Sequence, residues 1–460
     1  MSQGKAYDGA LIRSLGPWQA TGVLVSTLIG TGVFLVAAPM ARAAGSVHGV
    51  MVAWLIGTVI AFAGMSCFAE LGAAMPMAGG LFTYLTRGLG PIWGFLFGWA
   101  DAWLISPAGS ATLAAGFMRF AGFLLPGLGR SAISFTIGHH LWVLPTTQPL
   151  AASVILVLTA LNTLRIDVGG GIQLVLGGLK VAAIGVIIVA GEFLARGATG
   201  SPGPADTAGG TGPAFLSFAA LIPVMWAYNG FQMLGNLGAE IRDPERNIPR
   251  ALVRGTLIVS ALYCLVNLAY FHVLSFSAVA HSQAVASDAM RATLGAEGAN
   301  WLTLAMCMSA LASLHAVLME GARVPYAMSR NGLFFSFAGI VQARSRSPVG
   351  ALLFEGTLGS VIALTGTFEQ LFTFYVSMMW SFTALGALAV MRLRTTAPEL
   401  PRPYRVWGYP ITPWLFILAS MALTVSLWIS QPWRSALGLA VTLAGLPFYF
   451  KFRARRPSLP

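Results

Sequence analysis

Long apolar runs, divided by short polar or proline-rich links, repeat along the whole chain. A helix needs about 20 apolar residues to cross a bilayer core. Twelve runs read as spans: 17–40, 49–73, 91–115, 147–164, 170–194, 214–238, 252–276, 299–321, 349–366, 370–391, 412–430 and 434–450. Two are interrupted by small and polar residues. Span one reads Thr27-Leu28-Ile29-Gly30-Thr31-Gly32-Val33-Phe34, and span six reads Trp226-Ala227-Tyr228-Asn229-Gly230-Phe231. A helix that breaks inside a membrane must satisfy its freed backbone groups within protein or beside a cavity. Paired breaks at matching positions of two halves point to a transporter substrate site.

Composition agrees with the pattern. Of 460 residues, 56% are hydrophobic and 9% charged, against about 25% charged in a soluble domain. The first apolar run is long enough to span, and no small-residue cleavage site closes it, so no cleavable signal peptide is expected. Cys67, Cys264 and Cys307 all fall in spans and read as packing residues. The formal charge of +12 does not indicate a nucleic-acid partner, because it follows topology. With the N-terminus inside, about twenty of the 27 Lys and Arg lie on the cytoplasmic side and about six outside. This is the positive-inside asymmetry. It predicts a multi-pass inner-membrane protein with both termini cytoplasmic. Lipid contact through the basic clusters is secondary.

The predicted organisation is a cytoplasmic N-terminus (1–16), a first repeat of five spans (17–196), and an extracellular loop (197–213) rich in Gly, Pro, Ser and Thr. A second repeat of five spans (214–393), a Pro-rich cytoplasmic loop (394–411), spans eleven and twelve (412–450) and a cytoplasmic tail (451–460) follow. An odd number of spans per repeat inverts the second repeat, so the two broken helices run antiparallel. The stretch Glu240 to Arg250 mixes both charges with two prolines and reads as an aqueous loop. The stretch Arg323 to Arg346 is expected to hold a short interfacial helix.

On these motifs the chain resembles the amino acid–polyamine–organocation superfamily, most closely the L-type amino acid transporters and their bacterial exchangers. The matching stretches are Gly30-Thr31-Gly32-Val33-Phe34, Cys67-Phe68-Ala69-Glu70-Leu71-Gly72 with Pro76 and Gly79-Gly80, Trp226 to Phe231, Glu240 to Pro249, and Arg402-Pro403-Tyr404-Arg405-Val406. The resemblance implies an all-α polytopic protein of the LeuT-type fold. Twelve helices are expected, in a 5+5 inverted repeat with helices one and six broken. The implied activity is sodium-independent exchange of neutral L-amino acids by alternating access. A proton-coupled symporter of the same fold is the alternative, and a transport-inactive sensor a remote one. Asn229, Phe231 and His315 depart from the usual family residues and bear on substrate identity. No external cysteine precedes span four, where the animal light chains bond to a glycoprotein, so no heavy-chain partner is expected.

A zwitterionic amino acid needs an anion site and a cation site close together, and a broken helix offers both. The candidate substrate residues are Thr27, Leu28, Ile29, Gly30, Thr31 and Gly32, with Trp226, Ala227, Asn229 and Gly230. A Cβ at Gly32 is expected to fill the space where the carboxylate meets exposed N–H groups. The resemblance makes Trp226 an aromatic gate. Lys180 is the only lysine inside a span, and a mid-bilayer cation is a functional hypothesis by default. The resemblance has it reach span one and span eight, with Ser309 and Ser313 as contacts, in place of a sodium ion. Asp101 and Glu355 read as proton carriers, structural partners or lipid-masked acids. Glu320 is spaced to pair with Arg323, Glu70 reads as a structural carboxylate, and His272 and His315 as packing or titrating groups. Span six carries no acidic residue near Asn229, which argues against cationic substrates. No metal-ligand spacing, cofactor motif, catalytic constellation or P-loop is found, so no enzyme is expected and no ATP-driven step.

Overall fold

The computed structural model describes residues 15–76, 80–128, 132–137, 140–164, 170–193, 218–342 and 347–454. The N-terminal residues before Leu15, Gly79, the 197–213 loop and the end of the C-terminal tail lie outside the described residues.

Twelve long helical segments follow one another among the described residues. Helix one runs Pro17–Leu28 and resumes as Gly32–Leu35 and Ala37–Ala44. Helix two is Val47–Ala74. Helix three is Pro91–Ala100, a π-helical turn Asp101–Ile105, and Ser106–Leu124. Helices four and five are Thr147–Leu164 and Gly170–Phe193. Helix six is Phe218–Ala227 continued by a 3₁₀ helix, Phe231–Glu240. Helices seven to twelve are Pro244–Val273, Val285–Gly321, Val349–Ala363, Phe368–Thr396, Ile411–Ser430 and Pro432–Ala454. Seven of the described helices are long and apolar enough to cross a membrane by length and composition, with shorter apolar helices at four and nine.

Local chemistry sets several of the ends. Ser46 caps helix two by accepting from the Gly49 N–H at 3.0 Å, and Thr367 with Gln370 forms a capping box on helix ten. Pro244 opens helix seven at N1, where a missing N–H costs nothing. That corrects the expected loop at 240–250, most of which is the first turns of helix seven. Helix three extends past 115 to Leu124. Helix eight begins at Val285 and kinks at Gly295, whose φ is 74°. The expected interfacial helix is Arg323–Arg330, followed by a 3₁₀ turn at Ser336–Gly339. One departure from an all-α chain is an antiparallel hairpin, Ala132–Ile137 paired with His140–Pro145. It lies in the link before helix four, where two apolar stretches of six residues each are too short to register as a span.

Helix one packs on six, two on seven, three on eight and four on nine. These are the partners that a repeat of five would relate to one another. The two ends of the bundle differ. One, the basic face, carries Arg323, Arg330, Arg394, Arg402 and Lys451, and the other carries the hairpin. At the basic face Glu70 joins helix two to helix ten. Its carboxylate takes a two-pronged bond from Arg394, at 2.9 and 2.5 Å, and accepts the Val406 N–H at 2.7 Å. Arg402 donates to the Leu393 and Ala397 carbonyls at the end of helix ten, at 2.8 and 2.9 Å.

Candidate functional site

The two helix breaks meet in the middle of the bundle. In helix one the Gly30 N–H turns back on the Leu28 carbonyl at 2.9 Å, and the helix restarts at Gly32. In helix six the chain turns through Tyr228, Asn229 and Gly230, the last at φ 119°. That left-handed conformation favours glycine, and a Cβ there would stand 2.9 Å from Thr27 Cγ2. A Cβ at Gly32 would stand 3.1 Å from the Ala227 Cα and 3.2 Å from Trp226 Cδ1. Gly32 therefore lets helix six approach and does not point at ligand space, which corrects the expected role of its missing side chain. Gly30 is the open position, with nothing within 4 Å of its would-be Cβ.

A tyrosine that sequence reasoning missed ties the breaks together. Tyr263 on helix seven is fully buried, and its hydroxyl lies 2.7 Å from the Leu28 carbonyl and 3.0 Å from the Ala227 carbonyl. Both carbonyls lose their helical partners where the chain unwinds. The sequence shows a tyrosine in an apolar run, which requires a partner for its hydroxyl but does not name it. Tyr228 likewise engages Ser260 at 2.8 Å and Thr58 at 2.7 Å.

A cavity of about 610 Å³ runs from the breaks to the basic face. Thr27, Leu28, Gly30, Thr31, Gly32, Trp226, Asn229 and Gly230 line it, and it reaches Gln19 and Arg323, both exposed. Ile29 and Ala227 do not line it and are packed in the core. Thr31 Oγ1 is buried with no hydrogen-bond partner among the described residues. Asn229 donates to the Tyr375 hydroxyl at 2.6 Å and accepts from Gln232 at 3.2 Å. Trp226 stands at the far end of the cavity, with ring centroids 5.2 Å from Tyr375 and 6.2 Å from Phe372. Beyond it, Arg119 pairs with Glu369 at 2.5 Å and Arg42 with the same carboxylate at 3.5 Å. Arg119 also stacks over Phe368. That end is closed, and the basic-face end is open.

Lys180 is buried on helix five. Its ammonium donates to the Ser26 carbonyl at 3.1 Å and to Ser313 Oγ at 2.7 Å. Ser309 is buried but is not among these partners, so helix eight contributes Ser313 alone of the two serines, and Ser26 is a contact the sequence did not single out. A chain that snorkelled would keep its charge in water; this one points into the bundle. Asp101 and Glu320 line the cavity, and His315 lines it with them. Glu355 is fully buried and takes a hydrogen bond from Ser106 at 2.6 Å, so neither Asp101 nor Glu355 faces lipid. His272 lies 3.9 Å from Glu192 at the hairpin end, both half-exposed and away from the cavity. Among the described residues no group of three His, Cys, Asp or Glu is arranged to hold a metal.

A many-helix membrane protein with two facing helix breaks, a cavity between them and one open end has the architecture of a permease. The chain belongs to the amino acid permease family, whose pattern it matches over residues 15–445. It is 29% identical to the serine/threonine exchanger SteT of Bacillus subtilis (strain 168), over 98% of this chain and 99% of that protein. It is 28% identical to the b(0,+)-type amino acid transporter 1 of Homo sapiens, over 96% of this chain and 88% of the relative. It is 26% identical to the human cystine/glutamate transporter, over 94% and 84%.

Proposed function

We propose that this chain exchanges neutral L-amino acids across a cell membrane by alternating access. The observation that carries the reading is the pair of breaks facing one cavity, with Thr31 Oγ1 buried there and unpartnered. The α-carboxylate takes the first N–H groups of the resumed helix at Gly32 and Val33, which precede any i−4 carbonyl of that helix, with the Thr31 hydroxyl. The α-ammonium takes carbonyls of the unwound stretch that lines the cavity, around Thr27 and Gly30, and the Asn229 side chain closes the pocket. Trp226 is the gate on the hairpin side. Lys180 is a fixed cation that holds helix one to helices five and eight.

The positive-inside bias makes the basic face cytoplasmic. Both termini are then inside, and the cavity opens inward. The repeats are residues 17–196 and 214–393, with helices eleven and twelve as additions. All three cysteines sit within helices, which supports a chain that works without a disulfide-linked glycoprotein partner.

The test is exchange in proteoliposomes. Labelled serine or threonine should enter only when unlabelled amino acid is present inside, one for one. Concentrative uptake into liposomes without internal amino acid, driven by an inward proton gradient, would overturn exchange in favour of symport. A folded protein that binds amino acids and moves none would be a sensor.

A further inference from the structure

A groove of about 380 Å³ shares no lining residue with the central cavity. Phe337 lines one side, and Gly350, Leu353, Phe354, Thr357 and Leu358 of helix nine line the other. Phe337 is 39% exposed and Leu353 49%, so the groove opens on the outer surface of the bundle. Gly350 to Leu358 covers about 12 Å of helix. That is most of the roughly 15 Å that one leaflet gives to a hydrocarbon core of about 30 Å. Packing fixes the walls. The Phe337 ring lies 6.1 Å from Phe335 and 5.5 Å from Phe354 between centroids. A Cβ at Gly350 would collide with the Phe337 carbonyl oxygen, so glycine lets the 3₁₀ turn Ser336–Gly339 close on helix nine. The Gly350 N–H donates to the Ile340 carbonyl at 3.4 Å and fastens the link there. The rim toward the basic face is cationic. Arg330 ends the interfacial helix, with Cδ 3.9 Å from where a Cβ at Gly339 would stand, on the turn that carries Phe337. Phe335 packs on Phe448 and Phe452 of helix twelve, both at 5.7 Å, beside Lys451 and Arg453 in the chain. Arg330, Lys451 and Arg453 are exposed, and none is in an ion pair among the described residues. No acid lies between Glu320 and Glu355 or after Glu399, and Glu355 is fully buried.

We infer that this groove is a binding site for an anionic glycerophospholipid of the leaflet at the basic face. One acyl chain lies along helix nine between Phe337 and Leu353. The phosphate meets Arg330 at the rim, with Lys451 and Arg453 adjoining. A guanidinium matches a phosphate with two parallel hydrogen bonds, and basic pockets beside membrane helices hold anionic headgroups. A zwitterionic lipid brings its own cation and gains no net attraction from three unpaired ones. The interfacial helix joins this site to the central cavity. Arg323 at its start lines that cavity, and Arg330 at its end lies over the turn that walls the groove. The inference stands on the membrane fold and not on what the central cavity carries.

The experiment uses the purified full-length protein in detergent with a phosphatidylglycerol whose acyl chain carries a diazirine. After irradiation, label should concentrate on residues 350–358 and spare helix eleven, whose exposed Trp414, Leu418 and Met421 report ordinary lipid contact. Unlabelled phosphatidylglycerol should displace the label at a concentration lower than phosphatidylcholine by about tenfold or more. Each cation near an anionic lipid is worth about fivefold. Arg330→Gln should therefore cost phosphatidylglycerol about that factor and phosphatidylcholine nothing. Leu353→Trp should fill the groove and lose the label. Both positions are exposed, and the thermal midpoint confirms that each variant folds. Equal displacement by the two lipids, or equal label on helix eleven, would make this ordinary surrounding lipid and overturn the site. Label retained in folded Leu353→Trp would overturn it as well. So would displacement by phosphatidylglycerol unchanged in both Arg330→Gln and the double variant Lys451→Gln/Arg453→Gln. Label that appears only after dilution to monomer would assign the groove to a second copy of the chain, and the lipid site would fall.

Discussion

Two glycines two residues apart should fail in opposite ways. A methyl at Gly30 meets nothing within 4 Å, and Gly30 lines the cavity. Its backbone lies outside the left-handed region, so alanine is tolerated there and reduces the freedom of the unfolded chain. That effect is worth about 0.4–1 kcal/mol of stability. Gly30→Ala should therefore fold as well as wild type or slightly better, yet bind substrate less well, because the methyl occupies space beside the unwound backbone. A methyl at Gly32 would stand at 3.1 Å from a backbone carbon and 3.2 Å from the Trp226 ring, where about 3.5–4.0 Å is comfortable for carbon. Helices one and six would have to part by a few tenths of an ångström. Overpacking of this kind costs about 1–3 kcal/mol, and Gly32→Val should cost more. The assay pairs the thermal midpoint in detergent with binding of labelled amino acid. Wild-type affinity in Gly30→Ala would remove the break of helix one from the substrate site. An unchanged midpoint in Gly32→Ala would refute the packing argument.

Trp226→Ala should cut exchange at least tenfold by removing the ring that packs on Phe372 and Tyr375, while Trp226→Phe keeps part of it; equal rates for all three proteins would make Trp226 ordinary packing. Lys180→Ala leaves the Ser26 carbonyl and Ser313 without their donor, an expected loss of about 1–3 kcal/mol, and should slow exchange in neutral and gradient conditions alike. A defect seen only under a proton gradient would contradict the fixed-cation role. Tyr263→Phe keeps the ring, removes the donor to the Ala227 carbonyl and leaves the Leu28 carbonyl only the Gly30 N–H. It should lower the thermal midpoint and weaken binding together, and a change in neither would show that water or another group satisfies them. Glu70→Ala strands Arg394 and should destabilise the protein by about 3–5 kcal/mol, measured as loss of folded yield and midpoint; a midpoint like that of wild type would show the pair to be dispensable.

The sequence alone determined the membrane class, because a chain this apolar has no aqueous fold. It placed an apolar run on each long helix, but stopped short of the end of helix three and of the starts of helices seven and eight. It also located both breaks, because Gly30, Gly32 and Gly230 interrupt spans in which helix is otherwise the only way to satisfy the backbone. It misread places where polarity is not a loop signal: the charged stretch from Pro244 winds into helix seven, since a helix reaching past the bilayer can carry arginines on its first turns. What only the tertiary structure decided is which groups face one another across hundreds of residues. Gly32 reads as ligand space until Ala227 and Trp226 are seen against it. Tyr263 is one tyrosine among ten until its hydroxyl reaches two helix ends. The family resemblance has Lys180 reach from helix five to helices one and eight, but choosing Ser313 over Ser309 and finding the Ser26 carbonyl required the packed geometry. Hydrogen bonds act over about 3 Å, and spacing along a chain fixes distances that short only within one helix.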